Sequence, residues 1–389
     1  MFKNEVFVLS EYKYCVGVMS GTSLDGIDVA LCKIRGSGLD TDIKLVDCQT
    51  YPYSADLLCN IKQSLDLSTS NAQLLCSLNF KLGIEYATAV KKLVATNGLN
   101  LKDIAFIASH GQTIYHQANN QQGFVKSSLQ LGDAATIAYE CQTTVVSNFR
   151  AGDIAAGGDG APLVPYVDYI LYRDKDKSRA LHNIGGIANT TIIPKNANID
   201  DIYAFDTGPG NMMINRAMEV LFNQDYDKDG DTAAAGIVIL DMLQELLDNP
   251  YLKQKPPKST GRELFGIKYT DKIIAKYKQN KPEDIVHTLT MFTAESIVSA
   301  YKDFVFNRNK LDQIIFTGGG AYNKFLIKTI SDLVDVEVLT FEDIGESSDA
   351  KEAIAFAVLG NETLHKNYNN VPSATGAKSR VILGQINFF

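Results

Sequence analysis

Four stretches of this 389-residue chain set glycines beside small hydroxyl, amide or carboxylate side chains directly after an apolar run. They are residues 17–28 (GVMSGTSLDGID), 183–189 (NIGGIAN), 206–211 (DTGPGN) and 317–323 (TGGGAYN). Glycine lets the backbone turn tightly and approach a ligand with its N–H groups outward. Ser and Thr hydroxyls add donors without charge. Such loops suit a di- or triphosphate. One alone is usually just a hairpin, but four in one chain point to a nucleotide cleft. No GxxxxGK motif is present, which excludes a P-loop, and no GxGxxG opens a helix after the first strand, which disfavours a dinucleotide fold. Asp206 ends an apolar run and precedes a glycine loop, so its carboxylate would project into such a cleft. The run 225–231 (DYDKDGD) mimics an EF-hand start, but its twelfth position is Gly236, where a bidentate Glu is required, so it reads as a polar loop.

These loops need elements to hold them. Residues 14–19, 27–34 and 42–53 alternate as strands and predict an antiparallel meander. Apolar spacing near 3.6 predicts helix over much of 54–97. IAFIASHGQT reads as a buried strand running into a polar loop, ATIAYECQ as a short helix and TTVVSNF as a strand. A second cycle then begins: strand, glycine turn and strand over 179–194, a strand ending in FDTGPGN, and a helix from NMMINRAMEVLF. A long amphipathic helix follows over 284–306, then strand, glycine turn and helix in QIIFTGGGAYNKFLIKTIS. The two glycine hairpins occupy comparable places in their cycles, which predicts a duplicated α/β domain with two halves facing a cleft. The Gly- and Pro-rich run NFRAGDIAAGGDGAPLVP places the boundary near 145–155.

Composition narrows the function classes. A net charge of −8 leaves no basic stripe for nucleic acid. No run approaches the apolar length of a membrane span, and MFKNEVFVLSEYKYC has no signal-like apolar region. Six cysteines (15, 32, 48, 59, 76 and 141) without CxxC spacing read as reduced thiols of a cytoplasmic protein.

GVMSGTSLDGIDVAL, FRAGDIAAGGDGAPLVP, NIGGIANTT, FDTGPGNMMIN, PPKSTGRELFG and TGGGAYN together resemble the anhydro-N-acetylmuramic acid kinase family, from about residue 15 to the TGAKSRVILG tail. That family belongs to the sugar-kinase, heat-shock-protein-70 and actin superfamily. The resemblance implies an α/β, two-domain actin-like ATPase with a duplicated ribonuclease H-like fold and an interdomain cleft. The lobes would span 1–148 and 149–389, with the extreme C-terminus returning to the first. It also implies a cytoplasmic homodimer that uses ATP and Mg²⁺ on a small amino sugar. Water would open the 1,6-anhydro bond as O6 is phosphorylated, giving N-acetylmuramic acid 6-phosphate and ADP in cell-wall recycling.

On the same resemblance, the first phosphate hairpin comprises Ser20, Gly21, Thr22, Ser23, Leu24, Asp25, Gly26, Ile27 and Asp28, with Asp25 or Asp28 holding Mg²⁺. Asn183, Gly185 and Gly186 form the second hairpin, joined by Gly208, Gly210 and Asn211. Gly318, Gly319, Gly320 and Asn323 form the adenosine loop, where Asn323 equally reads as a helix N-cap. Asp206 is the expected general base, with Asp153 second; Asp153 could instead position the sugar or fix a hinge. His110, Gln112 and Thr113 would meet sugar polar groups, and Arg150 the lactyl carboxylate. Glu352 would line the cleft, or serve only as a first-turn acidic residue. Two positions depart from the family's pattern: residue 159 is Asp where GGQGAPL has Gln, and GESSDAKEA lacks a common proline. Two other readings fit the loops: a sugar kinase acting on a free hydroxyl, and an ATPase that only switches conformation.

Overall fold

The computed structural model describes residues 11–21, 24–118, 120 and 123–389. The chain forms two compact units, one taking the residues up to Leu171 together with Ala350–Phe389, the other Tyr172–Asp349. The segment 149–171, which a boundary at 148/149 assigns to the second lobe, packs with the first unit.

The first unit is built on a seven-stranded sheet of β1 (Lys13–Ser20), β2 (Ile27–Arg35), β3 (Asp42–Tyr51), β4 (Ile104–Gln117), β5 (Ser127–Leu131), β6 (Val145–Ser147) and the C-terminal strand Gln385–Asn387. β1, β2 and β3 form the expected antiparallel meander, β4 runs parallel to β1, and β6 parallel to β4. Side chains alternate across β1. Val16 and Val18 enter the core shared with Leu82, Tyr86, Val90 and Leu93 of the helix Ala72–Thr96. Gly17 faces the other way, where a Cβ would lie 1.8 Å from Ala353 O of the helix Lys351–Leu364. β4 does not stop at the polar HGQT run. It continues to Gln117 because β5 pairs with it antiparallel, satisfying the backbone of a polar segment.

The second unit holds β7 (Arg179–Ile184), β8 (Ile187–Ile193), β9 (Tyr203–Pro209), β10 (Gln313–Thr317) and β11 (Glu337–Thr340) in the order β11-β10-β7-β8-β9. β7, β8 and β9 are antiparallel neighbours, β10 runs parallel to β7, and β11 parallel to β10. Order and polarity match β6-β4-β1-β2-β3 of the first sheet strand for strand. This is the duplicated ribonuclease H-like plan of actin-like ATPases. The helix Pro282–Phe304 packs Ala294, Ile297, Val298 and Tyr301 on this sheet, while Ile285, Val286, Leu289 and Phe292 join a second, helical core. The run 225–231 is a capped turn: both carboxylate oxygens of Asp227 accept backbone N–H groups, from Thr232 and Ala233. No helix among the described residues is long and apolar enough to cross a membrane.

Candidate active site

The duplication explains where the glycine loops fall. The β1–β2 and β7–β8 turns join equivalent strands of the two sheets, and the 317–323 loop follows β10, the counterpart of β4.

In the second unit three loops converge. The tip of the β7–β8 hairpin is Gly185–Gly186. Gly210 N donates to Gly186 O at 2.9 Å and Asn211 N to Gly185 O at 2.8 Å. At Gly210 a Cβ would sit 2.2 Å from Gly185 O, so only glycine fits. Gly318 takes φ +80° with its α-carbon hydrogens against Asn183 Oδ1, and a Cβ on Gly320 would meet Ile184 Cγ2 at 2.2 Å. Asn183, Gly185, Gly186, Gly208, Gly210, Asn211 and the Gly318–Gly320 run therefore lie together. Asn323 is the N-cap of the helix Lys324–Leu333, its Oδ1 accepting from Leu326 N at 2.9 Å.

Asp206 lies on β9 at the edge of this cluster. Thr260 N donates to its Oδ2 at 2.9 Å, Tyr251 OH donates to its carbonyl at 2.9 Å, and its own N–H donates to Lys258 O at 3.1 Å. Burial pushes the carboxyl up from 3.8 to about 6, opposed by the Thr260 N–H and the Lys258 charge, with Glu263 adding to the rise. It is thus ionised at neutral pH yet basic enough to take a proton. Thr260 Oγ1 is buried with no hydrogen-bond partner. Behind the site His182 and Thr190 meet Tyr301 OH at 2.8 and 3.0 Å, bracing β7 and β8 against the long helix.

In the first unit, Thr22 and Ser23 lie outside the described residues. Ser20 is buried, its Oγ 2.6 Å from Tyr86 OH, so its hydroxyl already has a partner. Gln112 donates to Gly21 O at 3.1 Å and accepts from Tyr53 OH at 3.1 Å, which makes it a brace of the hairpin. Leu24 takes φ +62°, Gly26 packs against Tyr51 O, and the Ile27 side chain is core. Asp25 is exposed, and Asp28 accepts from Thr50 Oγ1 at 2.6 Å. Thr113 Oγ1 accepts from Gln130 at 3.3 Å.

Arg150 Nε donates to His110 Nε2 at 3.1 Å and Nη1 to Gly160 O at 2.8 Å. Burial and the Arg150 charge hold the His110 imidazole well below its usual range, so it is neutral. Burial also lowers Arg150 to about 10, with Glu352 pulling the other way. Glu352, at the start of the helix Lys351–Leu364, is raised by desolvation and feels Lys351, Asp28, Arg150 and Asp25. Asp153 is different. It is 0% exposed and its two oxygens accept from Gly160 N, Asn370 Nδ2 and Thr375 Oγ1 at 2.8–2.9 Å. Asp159 receives Lys126 Nζ at 2.6 Å.

Among the described residues no three His, Cys, Asp or Glu side chains cluster as a metal site. Mg²⁺ bound with a nucleotide asks for less, since it takes one or two carboxylates and draws its other ligands from phosphate and water. Asp25 and Asp28 fit that requirement.

The residues around Asp206 that sequence reasoning left unassigned are Tyr251, Lys258 and Thr260. The last two lie in PPKSTGRELFG, a stretch whose length carried the resemblance but whose residues gave no individual role.

Comparisons with known proteins bear on the whole chain. The family model for anhydro-N-acetylmuramic acid kinase matches residues 13–388. A curated anhydro-N-acetylmuramic acid kinase from Francisella tularensis subsp. novicida is 93% identical over 98% of this chain and 100% of its own. That of Clostridioides difficile is 52% identical over 96% and 98%. Among solved structures, the activator of 2-hydroxyisocaproyl-CoA dehydratase from Clostridium difficile with bound ADPNP aligns at 12% identity and TM-score 0.45, covering 89% of this chain and 93% of that one. A ROK family glucokinase from Streptomyces griseus in complex with glucose and AMPPNP aligns at 11% identity and TM-score 0.34, over 89% and 98%. With the family model matched over residues 13–388 and relatives 93% and 52% identical over nearly the full length, the chain belongs to the anhydro-N-acetylmuramic acid kinase family.

Proposed function

We propose that the chain converts 1,6-anhydro-N-acetylmuramic acid, ATP and water into N-acetylmuramic acid 6-phosphate and ADP, with Asp206 as the general base. The observation that carries this reading is the Asp206 carboxylate, fixed by Thr260 N–H and raised to about 6, at the edge of the glycine cluster. Asp206 takes a proton from water as the water oxygen bonds to C1. The C1–O6 bond breaks, and its electron pair goes to O6, which attacks the γ-phosphorus as the bond to ADP breaks. Phosphoryl transfer then rests on positioning and charge neutralisation.

Within the second unit, backbone N–H groups of the 185–186 tip serve the phosphates, the 208–211 loop braces that tip through its own N–H groups, and the 318–320 run lets the nucleoside approach the backbone. Within the first unit, the hairpin 20–28 serves phosphate, with Asp25 and Asp28 as Mg²⁺ ligands. The metal would neutralise charge on the terminal phosphates. His110 and Arg150 are assigned to the sugar, the guanidinium pairing with the lactyl carboxylate, and Thr113 and Glu352 complete that set, with Gln112 bracing the hairpin beside them. Asp153, given its enclosure, positions the 153–160 loop. We assign the enzyme to the cytoplasm, where ATP is available. A homodimer follows from the family resemblance and is checked by light scattering.

The test is Asp206→Asn. Turnover of the anhydro sugar should fall by about 10²–10⁴, the usual worth of a positioned general base, while ATP binding persists. A variant within a few-fold of the wild type would overturn the base assignment.

A further inference from the structure

Lys258 is a charged residue where charge is costly. The residue is 8% exposed, and Nζ lies 4.6 Å from the Tyr251 ring centre and 5.0 Å from that of Phe304. A lysine beside apolar surface normally extends its ammonium into water. This one folds inward and donates to Leu252 O at 3.1 Å and Tyr251 O at 3.4 Å. Two carbonyls and two ring faces replace only part of the lost hydration.

Asp206 is tied to the same residue, though its carboxylate makes no ion pair with the ammonium. Lys258 O accepts the Asp206 N–H, and Thr260 N, two residues on, holds Asp206 Oδ2. Tyr251, whose ring covers the ammonium, donates its hydroxyl to Asp206 O. Ammonium and carboxylate are therefore tied through the same two residues. The other ionisable groups nearby are Tyr251 on the turn Pro250–Lys253, Glu263 on the helical turn Arg262–Phe265, and Asp303 on the long helix, which acts on Lys258. Of the charges acting on Asp206, Lys258 is the positive one and Glu263 the negative one.

We infer that Lys258 is a positioning residue for catalysis: its buried ammonium holds the Asp206 carboxylate ionised, and so ready to accept the proton of the attacking water. The inference rests on Asp206 being the base. Burial lowers Lys258 to about 8, which still leaves it protonated at neutral pH.

The experiment replaces Lys258→Met, which keeps the stem and removes the charge. Two readings are taken on the full chain: the acid limb of kcat/KM against pH, and the titration midpoint of the Asp206 carboxyl by ¹³C NMR, assigned by its absence in Asp206→Asn. Both should rise, by less than about one pH unit because the two charges are not in direct contact. Lys258→Arg should restore them, and Glu263→Gln should move both downward. An unchanged midpoint in Lys258→Met overturns the role of Lys258. A midpoint that moves while the limb stays overturns Asp206 as base and leaves the electrostatic pairing standing. Should Lys258→Met melt early, Lys258→Gln takes its place: an unchanged Asp206 midpoint in that variant refutes the inference.

Discussion

Replacing Asp153 with alanine separates the two aspartates that the sequence offered as catalytic. The carboxylate is enclosed and accepts three hydrogen bonds, so truncation leaves Gly160 N, Asn370 Nδ2 and Thr375 Oγ1 without their acceptor. A stranded buried donor costs about 1–3 kcal/mol, giving a range of roughly 3–9 kcal/mol for three. Two effects pull toward the lower end. Thr375 Oγ1 already has a long alternative contact to Val371 O at 3.5 Å, and a water can enter the space. About 4 kcal/mol is the expected loss, a large share of the 5–15 kcal/mol typical of a folded protein. Asp153→Asn should lose about 2 kcal/mol, because its amide NH₂ must face one of the same donors. The assay is urea unfolding followed by far-UV circular dichroism, since the chain has no Trp. With a slope of about 1–3 kcal/mol per molar, the first transition of Asp153→Ala should move down by about 1 M or more. At low temperature the folded variant should keep turnover within about tenfold of the wild type, well above the floor of about 10² set for a lost base. An Asp153→Ala protein that unfolds at the wild-type midpoint but is inactive would refute the structural role and move Asp153 into the chemistry.

The Asp206 environment makes two further predictions. Below about pH 6 kcat/KM should fall tenfold per unit as the base is protonated, read from initial rates of ADP release. The same raised value means that the folded state binds the Asp206 proton more tightly than the unfolded chain does, so this group adds stability as pH falls from about 6 toward 4. Asp206→Asn should therefore gain on the wild type at pH 7.5 relative to pH 4, by roughly 2 kcal/mol after allowance for partial exposure, measured by thermal melts at both pH values. Gly320→Ala would push a Cβ against Ile184 and Asn211; the KM for ATP should rise about five- to thirtyfold, the equivalent of a misplaced contact of about 1–2 kcal/mol, while the KM for sugar changes little.

The glycine loops and the doubled strand pattern were legible in the sequence because both are local. A tight turn or close backbone approach demands glycine at that position, and strand alternation is written residue by residue. What was not legible depended on distant partners. β4 runs on through His110–Gln117 because β5 supplies the missing hydrogen bonds. Asp153 looks like any loop aspartate until Asn370 and Thr375, 217 and 222 positions away, close over it. Lys258 looks like a surface lysine until the Tyr251 and Phe304 rings enclose its head. Gln112 reads as a polar group available to a ligand, yet the structure occupies it with Gly21 and Tyr53.

The most direct measurement is mass spectrometry of the sugar product formed from the anhydro sugar, ATP and Mg²⁺ in ¹⁸O-labelled water. Base-assisted opening at C1 predicts a 6-phosphorylated product carrying one ¹⁸O at C1, formed in step with ADP and lost in Asp206→Asn. A phosphorylated product with the anhydro bond intact and no label, or ADP release that proceeds equally without sugar, would contradict the account.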